Sequence, residues 1–148
     1  MNFFESELRK IMGNSSILKD QKYVGRICYG TISKDLRARV EFVTLGICDH
    51  YAGLKISIIN RKEGVVDSML LRFTDVLGKQ KTNNPDFTGE VNPHIWTYDG
   101  ISEWFAFRPK TADYQKLANG VENYLSIFQD MEMIQEHGTM RPDKSRRW

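Results

Sequence analysis

The residues of this chain that are suited to chemistry fall into two sets, one able to react and one able to bind. Cys48-Asp49-His50 puts a thiol, a carboxylate and an imidazole in a row, and His94, Asp99 and Glu103 follow downstream. A Cys–His pair can form a thiolate nucleophile, with a carboxylate orienting the ring. Neighbours in sequence seldom reach that geometry, because catalytic groups usually converge from separate elements. The chain has no Gly-rich phosphate loop, no His-Glu-x-x-His, no Cys-x-x-Cys and none of the nucleophile signatures whose mechanics are known. Metal binding by His50, His94 and Asp99 would rest on residue type alone. The commoner role of Cys48-Asp49-His50 is a polar turn. A small hydrolase or nuclease using His50 and His94 stands as an alternative. No catalytic residue, metal ligand or cofactor is assigned.

The binding set is better ordered. In Leu36-Arg37-Ala38-Arg39-Val40-Glu41-Phe42 the even positions are apolar and the odd ones charged or basic. Leu54-Lys55-Ile56-Ser57-Ile58 repeats the alternation, and in Asp67-Ser68-Met69-Leu70-Leu71-Arg72-Phe73 the cation opposes Met69, Leu71 and Phe73. Side chains alternate across a strand. If the three segments pair in chain order, Arg37, Arg39, Lys55 and Arg72 share one sheet face, and Arg26 joins from the strand before. Such a face suits phosphates or an acidic partner. Glu41 and Asp67 are expected to neutralise part of it, and a merely solvated face is the plain competitor. A second candidate surface is the aromatic cluster of Trp96, Tyr98 and Trp104, with Phe105 and Phe107. Exposed aromatics stack bases or anchor partners, although cross-strand packing is their ordinary use.

The elements that must position these residues read as follows. Asn2 and Glu5 have the spacing of a capping box, and Phe4, Leu8, Ile11 and Met12 recur at helical spacing up to Gly13. Residues 14–22 read as a loop. Residues 23–32 read as a first strand, interrupted by Gly25 and Gly30. Ser33-Lys34-Asp35 connects it to a strand over 36–45, and residues 51–59 and 65–73 are the next two. Asn60 to Gly64 is a polar turn, with the glycine placed for positive φ. Residues 74–93 form a long irregular connection of the kind that is often functional. His94 to Phe107 is a hairpin turning at Asp99-Gly100, the dipeptide that supplies a type I′ turn. Thr111 caps a long helix with a stripe at Tyr114, Leu117, Val121, Leu125 and Phe128, and Gly120 within it suggests a close crossing over the sheet.

The order helix, four strands, loop, hairpin, helix argues for one α+β domain over residues 1–137, with an antiparallel sheet of about six strands. Helices at both ends would cover one sheet face and leave the other for partners. Residues 138–148 are a basic tail expected to be flexible unless a partner holds it. The chain's 148 residues suffice for one well-buried core. Its 21 cations and 19 anions leave a net charge of +2, so only local clustering could point to nucleic acid. Two cysteines, Cys28 and Cys48, make neither a disulfide framework nor a zinc site, which fits free thiols in a reducing compartment. No apolar run approaches the roughly 20 residues of a membrane span, and no leader is read at the N-terminus, so a cytoplasmic location is expected.

The opening Met1-Asn2-Phe3-Phe4-Glu5-Ser6-Glu7-Leu8-Arg9-Lys10, the Asp49-His50-Tyr51 step and Pro93-His94-Ile95-Trp96-Thr97-Tyr98 carry a resemblance. On these the chain, up to about Phe128, resembles a family of short uncharacterised proteins of mobile elements in Gram-positive gut bacteria. The resemblance transfers no catalytic residue. What it implies is a setting in which small accessory proteins act against host defence, anti-CRISPR proteins among them. The expectation is a non-enzymatic binding protein that inhibits a host defence nuclease, such as an RNA-guided (CRISPR) effector, by occluding a surface. Its partner would be a protein or ribonucleoprotein. A nucleic-acid-binding accessory factor for element transfer or regulation is the second reading.

Overall fold

The computed structural model describes residues 3–44, 51–81, 89–93 and 109–136. The chain opens with helix α1 (Phe3–Met12) and continues into five strands, β1 (Lys19–Val24), β2 (Ile27–Thr31), β3 (Leu36–Thr44), β4 (Tyr51–Asn60) and β5 (Gly64–Arg72). A short helix α2 (Phe73–Leu77), a two-strand ladder of β6 (Gln80–Lys81) and β7 (Glu90–Val91), and the long helix α3 (Thr111–Glu136) follow. The five strands pair in chain order, each antiparallel to the next, and this meander with helices at both ends of the chain is an α+β domain. No helix among the described residues is long and apolar enough to cross a membrane.

Alternation decides which face carries the core. On β3, Leu36, Ala38, Val40 and Phe42 point inward. They meet Ile58, Ile56 and Leu54 of β4 in the pairs Ala38–Ile58, Val40–Ile56 and Phe42–Leu54. Cys28 adds to the same layer opposite Val40, and Met69 and Leu71 of β5 stand opposite Ile56 and Leu54. The helices bring their stripes to this layer: Leu8, Ile11 and Met12 from α1, and Leu117, Val121, Leu125 and Phe128 from α3. Phe42 is the aromatic centre, its ring 6.0 Å from Phe4 and 6.5 Å from Phe73.

Helix α3 is tied down by side-chain hydrogen bonds as well as by packing. The Tyr114 hydroxyl donates to Glu7 Oε1 at 2.6 Å, and Lys10 holds the other Glu7 oxygen at 2.9 Å. Glu7 is thus a buried carboxylate with partners on both oxygens, the condition under which burial of such a group is tolerated. The Tyr124 hydroxyl donates to Asp67 of β5, and Ser15 to Glu122. Gly120 marks the crossing that its place in the stripe suggested. A methyl group built there would sit 3.2–3.3 Å from the tips of Leu71, so the missing side chain is what lets α3 lie close on β5.

The structure corrects the sequence reading at four points. Residues 23–32 are two strands, and residues 19–22, read as loop, belong to the first of them. Gly25 takes φ +58 in the tight turn from Val24 to Ile27, a conformation available to glycine at little cost. Phe73 ends no strand. It starts α2, where Phe73 and Leu77 are four apart and both buried, and Gly78 closes the turn by donating to the Thr74 carbonyl at 2.8 Å. Thr111 is the first residue of α3 rather than its cap. Asp113 reaches back to accept the Lys110 backbone N–H at 2.8 Å, the return arm of a capping box. The main sheet has five described strands, because residues 19–32 supply two where one was expected; the expected hairpin from His94 to Phe107, whose two strands completed the expected six, lies outside the described residues, as does the tail.

Candidate functional site

The register settles which cations share a face. Arg37 and Arg39 lie on the side of β3 away from the helices, Arg37 opposite Ile59 and Arg39 opposite Ser57. Lys55 pairs across from Glu41, and Arg72 ends β5 opposite Gly53. All four therefore project from the outer face. Arg37, Lys55 and Arg72 are exposed, and Arg39 is half-buried. Arg37 and Arg39 are about 7 Å apart along the strand and neighbouring strands lie about 4.8 Å apart, so the four cations run diagonally across the face from Arg37, opposite Ile59, to Arg72, opposite Gly53, with Glu41, Ser57 and Leu70 among them.

Arg26 does not join them from a strand. It sits in the β1–β2 turn, where its carbonyl accepts the Phe42 N–H at 3.2 Å. The expected neutralisers separate as well. Glu41 is on the outer face, its Oε1 3.6 Å from Arg39 Nε. Asp67 has the opposite parity. It faces inward and receives the Tyr124 hydroxyl, so it takes nothing from the cationic surface. Among the described residues no ion pair engages Arg37, Lys55 or Arg72.

Reading β1 and β2 as one strand hid part of this surface. Lys22 of β1 pairs with Tyr29 of β2, which pairs with Arg39, so Lys22, Tyr29, Arg39, Ser57 and Ser68 form one row across all five strands. The adjacent row holds Thr31 beside Arg37. Tyr29 is 38% exposed, far from the fully buried state of an inward-facing aromatic. At this corner the surface dips into a concavity of about 580 Å³, lined by Lys22, Tyr29, Thr31 and Arg37 with Val24 and Ile59. The available signal was Gly25-Arg26 between two pairs of β-formers, Tyr23-Val24 and Ile27-Cys28, which is the pattern of a two-residue hairpin loop.

Among the described residues, reactive chemistry finds no comparable assembly. Cys28 is fully buried, and burial pushes its thiol up to about 11. It therefore stays protonated at neutral pH, whereas a nucleophilic cysteine needs its thiolate. Tyr23 beside it is raised above the ordinary tyrosine range, first by burial and then by Cys28, and its hydroxyl donates to Gln21 Oε1 at 2.5 Å. Among the described residues no three His, Cys, Asp or Glu side chains are grouped to hold a metal ion. Cys48, Asp49, His50, His94, Asp99 and Glu103, and the aromatics Trp96, Tyr98 and Trp104, lie outside the described residues. What the described geometry offers is multipoint recognition of negative charge next to an accessible aromatic ring. No family model, curated protein or solved structure matches the chain.

Proposed function

We propose that this chain is a non-enzymatic binding protein that lays its cationic outer sheet face on an anionic macromolecular surface. In the setting implied by the resemblance above, that partner is a host defence nuclease, an RNA-guided effector being the clearest case, and the effect is inhibition by occlusion. The observation that carries the reading is the placement of Arg37, Arg39, Lys55 and Arg72 on the one face opposite the helices. A core layer needs only the inner residues of these strands. Cations spread over every outer row lie outside that requirement, and a face charged in this way attracts nucleic acid or an acidic protein surface.

A surface-occluding inhibitor needs no catalytic group, only affinity for the region that target DNA or RNA must enter. The test is cleavage by a purified, guide-loaded host nuclease titrated with the chain. Inhibition should reach completion near one chain per effector, and Arg37→Glu with Arg72→Glu should relieve it while the melting curve stays unchanged. Full inhibition by that well-folded double variant, or none by the wild type, would overturn the reading.

A second reading, an accessory factor that binds nucleic acid directly, is favoured by the same cations and by Tyr29 on the same face. It predicts retention on free oligonucleotide that weakens as salt rises, without any protein partner.

A further inference from the structure

We infer that the concavity at the β1–β3 corner is a nucleotide subsite, which holds one unstacked base of a single strand on Tyr29 with the flanking phosphates on Lys22 and Arg37. The inference rests on the outer face being the binding surface and names the ligand class that one corner of it takes.

Three observations meet here. The first is the exposed aromatic. Tyr29 sits on the outer face of a central position in its strand, with Lys22 directly across on one side and Arg39 on the other. An exposed ring on a sheet between cations is the arrangement on which bases of single strands stack, because every base has a π-face and every step brings a phosphate. A duplex cannot use it, since its bases are already stacked on one another. The second is shape. A recess of about 580 Å³ falls within the range of pockets that enclose small ligands, roughly 300–1,000 Å³. A plain solvated sheet face needs no such recess. Val24, 63% exposed, supplies an apolar wall for the sugar or the base edge.

The third is the charge pattern within the recess. Lys22 and Arg37 supply two cations, Thr31 a hydroxyl, and Asp20 also lines the space. The carboxylate argues against a free phosphate as the natural occupant. It suits a base, whose exocyclic amine is a donor that a carboxylate accepts. Asp20 is moreover held at φ +55, a left-handed conformation uncommon outside glycine, at the register shift of β1 between Lys19 and Lys22. The bulge is what brings a residue of β1 round to the rim of the recess.

The experiment uses the full chain and fluorescein-labelled ten-nucleotide probes of mixed sequence, single-stranded RNA, single-stranded DNA and duplex DNA, read by anisotropy at two salt concentrations. Single strands should bind at least about tenfold tighter than duplex. Tyr29→Ala should weaken single-strand binding about tenfold, and Tyr29→Phe, which keeps the ring, should restore it. Lys22→Glu and Arg37→Glu should weaken binding and flatten its salt dependence, while Lys62→Glu on the β4–β5 turn should do neither. Equal binding by Tyr29→Ala and wild type, preference for duplex, or no binding to any probe would overturn the subsite. The occlusion reading fails separately, in the cleavage assay: Tyr29→Ala neutral on oligonucleotides together with loss of nuclease inhibition in the Arg37→Glu, Arg72→Glu variant would remove the subsite and leave the proposed function standing.

Discussion

The inner and outer faces of the sheet are built from alternate residues of the same five strands, and they answer to different demands. Along β3 the inner residues Leu36, Ala38, Val40 and Phe42 are each no more than 1% exposed, while Arg37 is open to solvent between two of them. The inner rows interlock with three helices, and their polar exceptions are partnered: Asp67, the one acid that β5 sends inward, receives Tyr124. The outer rows mix Lys22, Tyr29, Arg39, Ser57 and Ser68 in a single line. One face is specified by packing and the other by charge. Substitutions on the inner face should therefore change stability, and substitutions on the outer face should change binding and leave stability nearly alone.

The strongest way to break this comparison is to remove the aromatic centre of the inner face. Phe42→Ala should cost about 3–5 kcal/mol, the range for deleting a buried phenyl ring from a packed core. Urea denaturation would show it as a lower midpoint at an unchanged slope. A cost below about 1 kcal/mol, the range of substitutions that make no cavity, would mean that the layer between Phe4, Phe42 and Phe73 is not the core.

A smaller effect is expected where the inner face carries its polar exception. Tyr124→Phe keeps the ring against Phe128, 5.2 Å away, and deletes only the hydroxyl given to Asp67. Leaving that carboxylate half-buried without its donor should cost about 1–3 kcal/mol. Asp67→Asn in the Tyr124→Phe background should then cost less than it does alone. A double-mutant cycle with no coupling would show that the pair contributes nothing to seating α3 on β5.

Alkaline pH probes the inner face without disturbing its shape. The folded Cys28 thiol is raised to about 11 from an ordinary value of 9.0, chiefly by burial. A group whose acid form is favoured in the folded state loses protons first in the unfolded chain, so stability falls as pH rises between the two values. Each pH unit in that window should remove about 1 kcal/mol. Tyr23 and Tyr124 are shifted in the same direction, by burial first, and extend the decline beyond pH 10. Cys28→Ala should flatten the first part of the curve, between about pH 9 and pH 10. An identical slope in that variant would assign the alkaline loss to the tyrosines alone.

How much of this was legible in the sequence depends on how strictly each segment alternates. β3 and β4 alternate cleanly, so their faces, their pairing and the outward cations could be read directly. The stripe of α3 and the crossing at Gly120 were equally plain, because a 3.6-residue period sustained over several turns has no other use in a chain of this kind. β1 and β2 were not, since Lys19-Asp20-Gln21-Lys22 is polar throughout and marks an edge strand by its partner rather than by its own composition. With the boundary at Gly25 missed, Lys22, Tyr29 and Thr31 could not be placed beside Arg37, and the corner recess was invisible. Asp67 was misplaced for a different reason. It was counted by charge among the acids of the cationic face, although its parity with Met69 and Leu71 already sent it inward.

The smallest expected effect is on the outer face, and it sharpens the comparison because two arginines on one strand should differ. Arg37→Glu replaces an exposed cation that no ion pair engages among the described residues. Its effect on stability should stay within about 0.5 kcal/mol, as for surface positions away from caps and packing. Arg39→Glu removes the 3.6 Å contact to Glu41 and sets two carboxylates two residues apart on the same face. It also removes a half-buried stem at the position paired with Ser57, which is only 1% exposed. Its cost should therefore be larger, about 1 kcal/mol, and added salt should reduce it, since screening weakens like-charge repulsion at the surface. Arg39→Gln, which introduces no second negative charge, should fall between the two. Thermal melts of the three variants at low and high ionic strength would decide it. Equal and salt-independent melting of Arg37→Glu and Arg39→Glu would mean that Glu41 does not act on the arginines beside it, and that the outer face is uniform rather than weighted toward the corner where Arg37, Lys22 and Tyr29 meet.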